Sequence, residues 1–92
     1  MAQIESVWWD LDDEADGNAQ HIAQHGLTKD EVEDVLSNSA NPTDRSRCGD
    51  RPATFGWTST GKHIIVIWEE VLDDPLTAFP VTAYEVPPPA DN

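Results

Sequence analysis

The chain has 92 residues, of which 38% are hydrophobic and 25% charged, an ordinary composition for one globular domain. No window approaches the roughly 18 to 20 apolar residues that a membrane-spanning helix needs. The first residues, MAQIESVWWD, lack the basic and then apolar pattern of a signal peptide. We therefore expect a soluble, cytoplasmic protein, and the single cysteine, Cys48, agrees with a reducing compartment.

Charge is unevenly distributed along the chain. Eighteen acids and five bases give a net charge of −13. Residues 41–68 contain four bases and two acids, so this segment is +2 and the remainder is −15. Such a chain repels nucleic acid at long range and attracts basic partners. Adaptation of a soluble protein to high salt explains the same acidic surface without any partner.

The first half of the chain predicts one strand and two helices. QIESVWW has the aromatic and β-branched content of a strand. The acidic stretch DLDDEADGN then predicts a helix start, with Asp12 or Asp13 as N-cap and the other carboxylates near the positive end of the helix dipole. Gly26 ends this helix. In LTKDEVEDVL, Thr28 and Glu31 form a capping box that begins the second helix.

The second half predicts a polar loop and then three strands, ATFGWT, HIIVIWEE and FPVTAYEV, in an antiparallel meander. The middle run is apolar on both faces, as in a central strand. Trp57 and Trp68 are expected in the core. The predicted fold is α+β, with the order β-α-α-β-β-β and two helices packed on a mainly antiparallel sheet. It forms a single domain over residues 1–86, followed by a flexible proline-rich tail at 87–92.

The acidic stretch has the composition of a calcium loop without its full ligand set. In an EF-hand loop starting at Asp12, position 12 is an alanine where a bidentate glutamate is required. His21 and His25 are four residues apart, so they can share a metal ion on a helix if Cys48 and His63 complete the set. Surface histidines are the simpler interpretation, and we predict neither a metal nor a cofactor.

Basic residues in the second half form a cluster suited to phosphate chemistry. It consists of Arg45, Arg47, Arg51, Lys62 and His63. Guanidinium and ammonium groups stabilise charge on a scissile phosphate, while a histidine moves protons. These residues therefore fit a ribonuclease. The alternative is a solvated loop whose arginines pair with the abundant carboxylates.

The stretch WWDLDDEADGNAQHIAQHGLTKDEVEDVL resembles the N-terminal half of BrnT-type toxins. That family's pattern is a strand ending in Trp-Asp, an Asn, then Lys-His-Gly and a helix that begins with Ser or Thr and acids. The corresponding residues here are Trp9, Asp10, Asn18, His25 and Gly26.

RPATFGWTSTGKHIIVIW is similar to the second and third strands of the same family. In that pattern an Arg opens a strand, a Gly lies within it, and Gly-Arg or Gly-Lys precedes an apolar strand. Arg51, Gly56, Gly61 and Lys62 hold these places, and the similarity covers about residues 7–86. Two cationic positions differ, because Gln24 replaces a Lys and Tyr84 stands where such toxins usually have an Arg.

The resemblance implies a RelE-like fold and a toxin that cleaves messenger RNA and is held by a small antitoxin of the ribbon-helix-helix type. Under this first hypothesis the chain is a toxin-like endoribonuclease. Its catalytic residues would be His25, Arg51, Lys62 and Tyr84. Its RNA-binding residues would be Arg45, Arg47 and His63, with His63 as the alternative acid or base.

A second hypothesis is a non-catalytic module that keeps the fold and has lost the reaction. Its acidic surface would then bind a basic protein. The two missing cations and the net charge of −13 favour this interpretation. The sequence leaves the oligomeric state open.

Overall fold

The computed structural model describes residues 4–10, 17–38, 41–48, 51–73 and 75–87. In these ranges the helices are α1 (Asn18–Gln24) and α2 (Lys29–Ser37). The strands are β1 (Ser6–Val7), β2 (Thr43–Cys48), β3 (Arg51–Trp57), β4 (His63–Asp73) and β5 (Leu76–Glu85). The predicted α+β class, with two helices on a mainly antiparallel sheet, is confirmed. Residues 88–92 of the predicted tail lie outside the described residues.

The five strands form one sheet in the order β1-β5-β4-β3-β2. β1 runs parallel to β5, and the other neighbours are antiparallel. β4 is therefore the central strand, as its sequence predicts. Its residues Ile64, Val66 and Trp68 join the helices in one core cluster, whereas Ile65 and Ile67 belong to a second cluster on the other face.

The larger cluster lies between the helices and the sheet. Ile22 from α1 and Val32 and Val35 from α2 are almost completely buried there. Trp68 is 2% exposed, as predicted for a core residue, and its indole N–H donates to Thr54 Oγ1 at 2.9 Å. Burial of each large apolar side chain contributes roughly 1.5–3 kcal/mol, so this layer holds the helices on the sheet.

Segment 43–48, which the sequence predicts as a loop, forms the edge strand β2. It pairs with β3 at Thr43↔Thr54 and Asp44↔Ala53, and the two threonine hydroxyls are hydrogen-bonded at 2.7 Å. The loop prediction is wrong because it relied on the polar sequence of this segment, and β2 is an edge strand that pairs on only one side. Polar and charged side chains are tolerated there, so the apolar alternation of a central strand is absent.

Helix α1 begins at Asn18, later than predicted. Its N-cap is Gly17, and no acid lies in its first turn, so the predicted dipole interaction is wrong for this helix. The start is set by contacts with the segment that follows β1. Asn18 Oδ1 accepts from the Asp10 N–H at 2.8 Å, and the Asp10 carboxylate accepts from the Asn18 N–H at 3.0 Å. The predicted caps, residues 12–13, lie outside the described residues.

The junction between the helices has the predicted geometry. Gly26 has a φ of 78°, a left-handed conformation that favours glycine after a helix end. Thr28 Oγ1 accepts from the Glu31 N–H at 3.2 Å, and Glu31 Oε1 accepts from the Thr28 N–H at 3.0 Å. The capping box is therefore complete. No helix among the described residues is long and apolar enough to cross a membrane.

Trp57 is not a core residue, contrary to the sequence prediction. It is 55% exposed at the end of β3, on the sheet face that the helices do not cover. Its ring centroid lies 5.1 Å from that of His63, its partner residue in β4. A tryptophan in a strand indicates burial only if its face is covered, and the sequence alone does not say which face that is.

Candidate functional site

Three exposed aromatic side chains meet beside the α1–α2 junction. The rings of His21 and His25 are stacked with centroids 5.8 Å apart, as expected for residues four apart on one helix. The His25 ring lies 6.0 Å from the Tyr84 ring, because α1 packs against β5. The fold thus brings together two of the four predicted catalytic residues. We call His21, His25 and Tyr84 the His-Tyr cluster.

Lys62 is anchored next to this cluster by the α1–α2 junction. Its Nζ donates to the Gly26 carbonyl oxygen at 3.0 Å and lies 3.2 Å from Glu31 Oε2. Gly26 directly follows His25 in the chain, so Lys62 is the third predicted catalytic residue at this corner. Its ammonium group is already engaged by a carboxylate, which lowers the positive charge it can offer to a phosphate.

Glu31 is a buried carboxylate with a full set of partners. Burial alone would raise the pKa of Glu31, but hydrogen bonds from the Thr60 hydroxyl, the Thr28 N–H and Lys62 outweigh it, so its pKa lies below the ordinary value. Glu31 is therefore ionised at neutral pH and pairs with Lys62. This role is structural, since the carboxylate joins α2 to the β3–β4 turn.

A second carboxylate fixes the same turn. Asp34 Oδ2 accepts from the hydroxyl of Ser59 at 2.7 Å and from its backbone N–H at 3.2 Å. With the contact between Glu31 and Thr60, two acids of α2 hold the turn that positions Lys62. Glu31, which the sequence predicts only as part of the capping box, and Asp34, which it presents only as negative charge, thus position a cation.

Arg51 lies at the opposite end of the β3–β4 hairpin from Lys62. Arg51 Nε donates to Glu69 Oε1 at 2.7 Å, and the two side chains are 50% and 46% exposed. Arg51 opens β3, whereas Lys62 precedes β4, and the pairing of Trp57 with His63 fixes their antiparallel alignment. Six residues at roughly 3.3 Å each separate the two ends by about 20 Å. Arg51 and Lys62 therefore do not hold the same phosphate.

The two remaining predicted arginines lie in the edge strand. Arg45 and Arg47 belong to β2, between the residues that pair with Ala53 and Arg51. They therefore share the Arg51 end of the sheet, away from Lys62. The basic cluster of the sequence is divided in space, with three arginines at one end of the sheet and one lysine at the other.

His63 faces away from the His-Tyr cluster. Its neighbour Ile64 points to the helices, so strand alternation places His63 on the opposite face, beside Trp57. Its Nδ1 is buried and has no hydrogen-bond partner in the part of the chain that the structure describes. His25 and His63 are thus candidates for two different sites and do not act as an acid and base pair.

Metal ligands do not converge at the two helix histidines. Within the described ranges no three His, Cys, Asp or Glu side chains are grouped as ligands for one ion. His63 lies on the other face of the sheet, and Cys48 is the last residue of the edge strand. The calcium-like stretch lies mostly outside the described residues.

Two motif residues of the BrnT-type resemblance have structural roles. Asn18 is 4% exposed, and its Nδ2 donates to the Trp8 carbonyl oxygen at 3.0 Å, in addition to its two bonds with Asp10. Gly56 lies against Asn41, whose Nδ2 caps the Val35 carbonyl oxygen at 2.9 Å. A Cβ at Gly56 would lie only 2.3 Å from that Nδ2. Both residues therefore have a structural role that does not depend on any catalytic activity.

A groove of about 330 Å³ lies between β1 and α2 and was not predicted from the sequence. Its lining residues come from the first strand and its approach and from the later part of α2. They are Ile4, Glu5, Ser6, Val7, Glu33 and Ser37. The only sequence signal was the acidic character of both segments.

No protein-family model matches this chain, and no curated protein or solved structure matches it. The BrnT-type resemblance therefore rests on the short motifs alone.

Proposed function

We propose that this chain is a non-catalytic protein-interaction module whose acidic surface binds basic partners. The main support is the placement of the predicted phosphate ligands. Lys62 is held by Glu31 and Gly26, Arg51 is held by Glu69, and about 20 Å of strand separates the two cations. Electrostatic catalysis on a phosphate requires several preorganised donors around one group, and these two do not provide it.

The charge of the surface supports the same proposal. The net charge is −13, and exposed acids lie next to β1 and on α2, β4 and β5. They include Glu5, Asp30, Glu70 and Glu85. Such a surface steers a basic partner towards the protein and disfavours a polyanion such as RNA. A cytoplasmic location belongs to this proposal, and the single cysteine is consistent with it.

Binding of a basic peptide at two salt concentrations tests the proposal. A fluorescent lysine-rich peptide is titrated with the full chain at low (roughly 0.02 M) and moderate (roughly 0.2 M) salt, beside a glutamate-rich peptide of equal length. The lysine-rich peptide should bind, with an affinity that falls at least about tenfold between the two conditions. A salt-independent affinity, or equal binding of both peptides, would contradict the proposal.

The His-Tyr cluster supports a second candidate, the toxin-like endoribonuclease. His25 would accept the proton of a ribose 2′-hydroxyl as its oxygen attacks the phosphorus, and Tyr84 would donate a proton to the departing 5′-oxygen. Lys62 would neutralise the phosphate. The contact between His25 and Tyr84 favours this candidate, which would also take a ribbon-helix-helix antitoxin as its partner.

Cleavage of a defined messenger RNA, with and without ribosomes, tests this candidate. If it is correct, His25→Ala and Tyr84→Phe abolish cleavage. Arg51→Ala is the matched control and leaves cleavage largely intact, because Arg51 lies at the other end of the hairpin. Absence of cleavage by the folded wild type would exclude the candidate. Cleavage that requires Arg51 and not His25 would show that the reaction occurs elsewhere.

A further inference from the structure

The groove between β1 and α2 lies at the β1 side of the sheet. Four consecutive residues, 4–7, line it. Only Ser6 and Val7 of these belong to β1, and the two residues before them line the groove as well. β1 is the last strand in the sheet order and is paired only with β5 among the described residues. Such an edge is where an extended peptide can add to a sheet.

The groove also has an apolar component. Ile4 and Val7 are half-buried and pack against the main core cluster. Both side chains also line the groove. Its volume of about 330 Å³ is at the low end of the range for ligand sites, roughly 300–1,000 Å³. This space suits a few side chains of an extended segment and is too small for a folded domain.

The charged groups of the groove are all negative. Glu5 and Glu33 line it, and no base from the described part of the chain does. The Trp9 indole N–H donates to Glu33 Oε2 at 2.6 Å, which fixes this carboxylate without neutralising it. The last turn of α2, which ends at Ser37, contains no basic residue, and the carbonyl end of a helix carries partial negative charge. Each of these features favours a cation in the groove.

We infer that this groove docks an extended segment of a partner protein in which lysine or arginine alternates with apolar residues. The segment would lie along β1, with its cations at Glu5 and Glu33 and its apolar side chains against Ile4 and Val7. This inference rests on the proposed function and adds the location and sequence character of the contact. An RNA strand is disfavoured here because its phosphates would face two carboxylates.

The experiment maps the binding of two labelled peptides on the full chain by amide chemical shifts and measures their affinities. One peptide alternates lysine with valine, and the other replaces each valine by glycine at the same charge. The groove variant is Glu5→Gln/Glu33→Gln, in which the amide oxygen introduced at position 33 can still accept from the Trp9 indole. Its matched control is Glu70→Gln/Glu85→Gln, which removes the same charge from exposed acids outside the groove.

Shifts should concentrate at residues 4–7 and 33–37, and the lysine-valine peptide should bind more tightly than the lysine-glycine peptide. The groove variant should weaken binding about fivefold more than its control, as expected for loss of two partly exposed ion pairs. A Ser37→Phe variant, which fills the groove without changing charge, should abolish the localised shifts. Normal thermal unfolding of each variant confirms that it is folded.

Two results would overturn the inference, and they are distinguishable. If both peptides bind equally, with dispersed shifts and equal losses in the two glutamine variants, the acidic surface binds cations without using the groove, and only the proposed function survives. If neither peptide binds the wild-type chain at low salt, the groove and the proposed function both fail.

Discussion

Replacing Lys62 by methionine tests the partly buried ion pair that positions the β3–β4 turn. Lys62 Nζ lies 3.2 Å from Glu31 Oε2, and the side chains are 33% and 5% exposed, respectively. Methionine retains most of the apolar stem of the lysine and removes its charge. The substitution therefore leaves Glu31 buried without its cation, and its effect on stability is mainly electrostatic.

The expected decrease in the free energy of unfolding lies between two limits. Breaking a fully buried ion pair costs about 3–5 kcal/mol, whereas an exposed pair contributes about 0.2–1 kcal/mol. Glu31 keeps hydrogen bonds from Thr60 and Thr28, and Lys62 is one-third exposed, so we expect a loss of about 1.5–2 kcal/mol. Arg51→Met is the matched control, because it removes the same charge from a half-exposed pair and should cost less than about 1 kcal/mol.

Urea unfolding, followed by tryptophan fluorescence to which the buried Trp68 contributes, measures both losses of unfolding free energy. The pKa of Glu31 in the folded chain lies below its unfolded value of roughly 4.3, because the hydrogen bonds and the lysine outweigh burial. The stabilisation that ionised Glu31 gives to the folded state is therefore fully present above the unfolded pKa. It is lost as pH falls through the folded pKa. Lys62→Met should raise the pKa of Glu31 in the folded chain and so reduce the stability that is lost at low pH. Equal losses in Lys62→Met and Arg51→Met, or an unchanged pH profile, would refute the reasoning.

Three further predictions concern the fold. Gly56→Ala should cost about 1–3 kcal/mol by urea unfolding, since its Cβ would collide with Asn41, and a similar cost in an Asn41→Ala background would contradict this cause. Asn18→Ala should lower stability by about 1–3 kcal/mol through loss of its two side-chain hydrogen bonds, and a thermal midpoint within a degree or so of wild type would exclude that role. Sodium chloride should raise the thermal midpoint by screening the −13 charge, and a salt-independent midpoint would contradict strong self-repulsion.

Local signals in the sequence predicted the elements whose structure depends on neighbouring residues. The capping box of Thr28 and Glu31 and the glycine at position 26 each act within a few residues, and both are present as expected. The central position of β4 follows from apolar residues on both of its faces. These features were predictable because the interactions that produce them are encoded within short segments.

The predictions that failed depend on contacts between distant residues. α1 starts at Asn18 because its side chain bonds to Asp10 and Trp8, and no helix propensity encodes that contact. β2 exists because β3 offers it a partner, although its own sequence is polar. Likewise, the ion pair of Glu31 forms only because the fold brings Lys62 to it from 31 residues away.

The division of the basic cluster follows from the topology alone. Two residues that begin consecutive antiparallel strands lie at opposite ends of their hairpin, so Arg51 and Lys62 must separate once β3 and β4 pair. Arg45 and Arg47 stay near Arg51 because β2 joins β3 by a short connection at that same end. The separation of Arg51 from Lys62 therefore follows from the antiparallel meander that the sequence predicts. A cluster of charges in sequence becomes a binding site only when the connections between strands return its members to one end of the sheet.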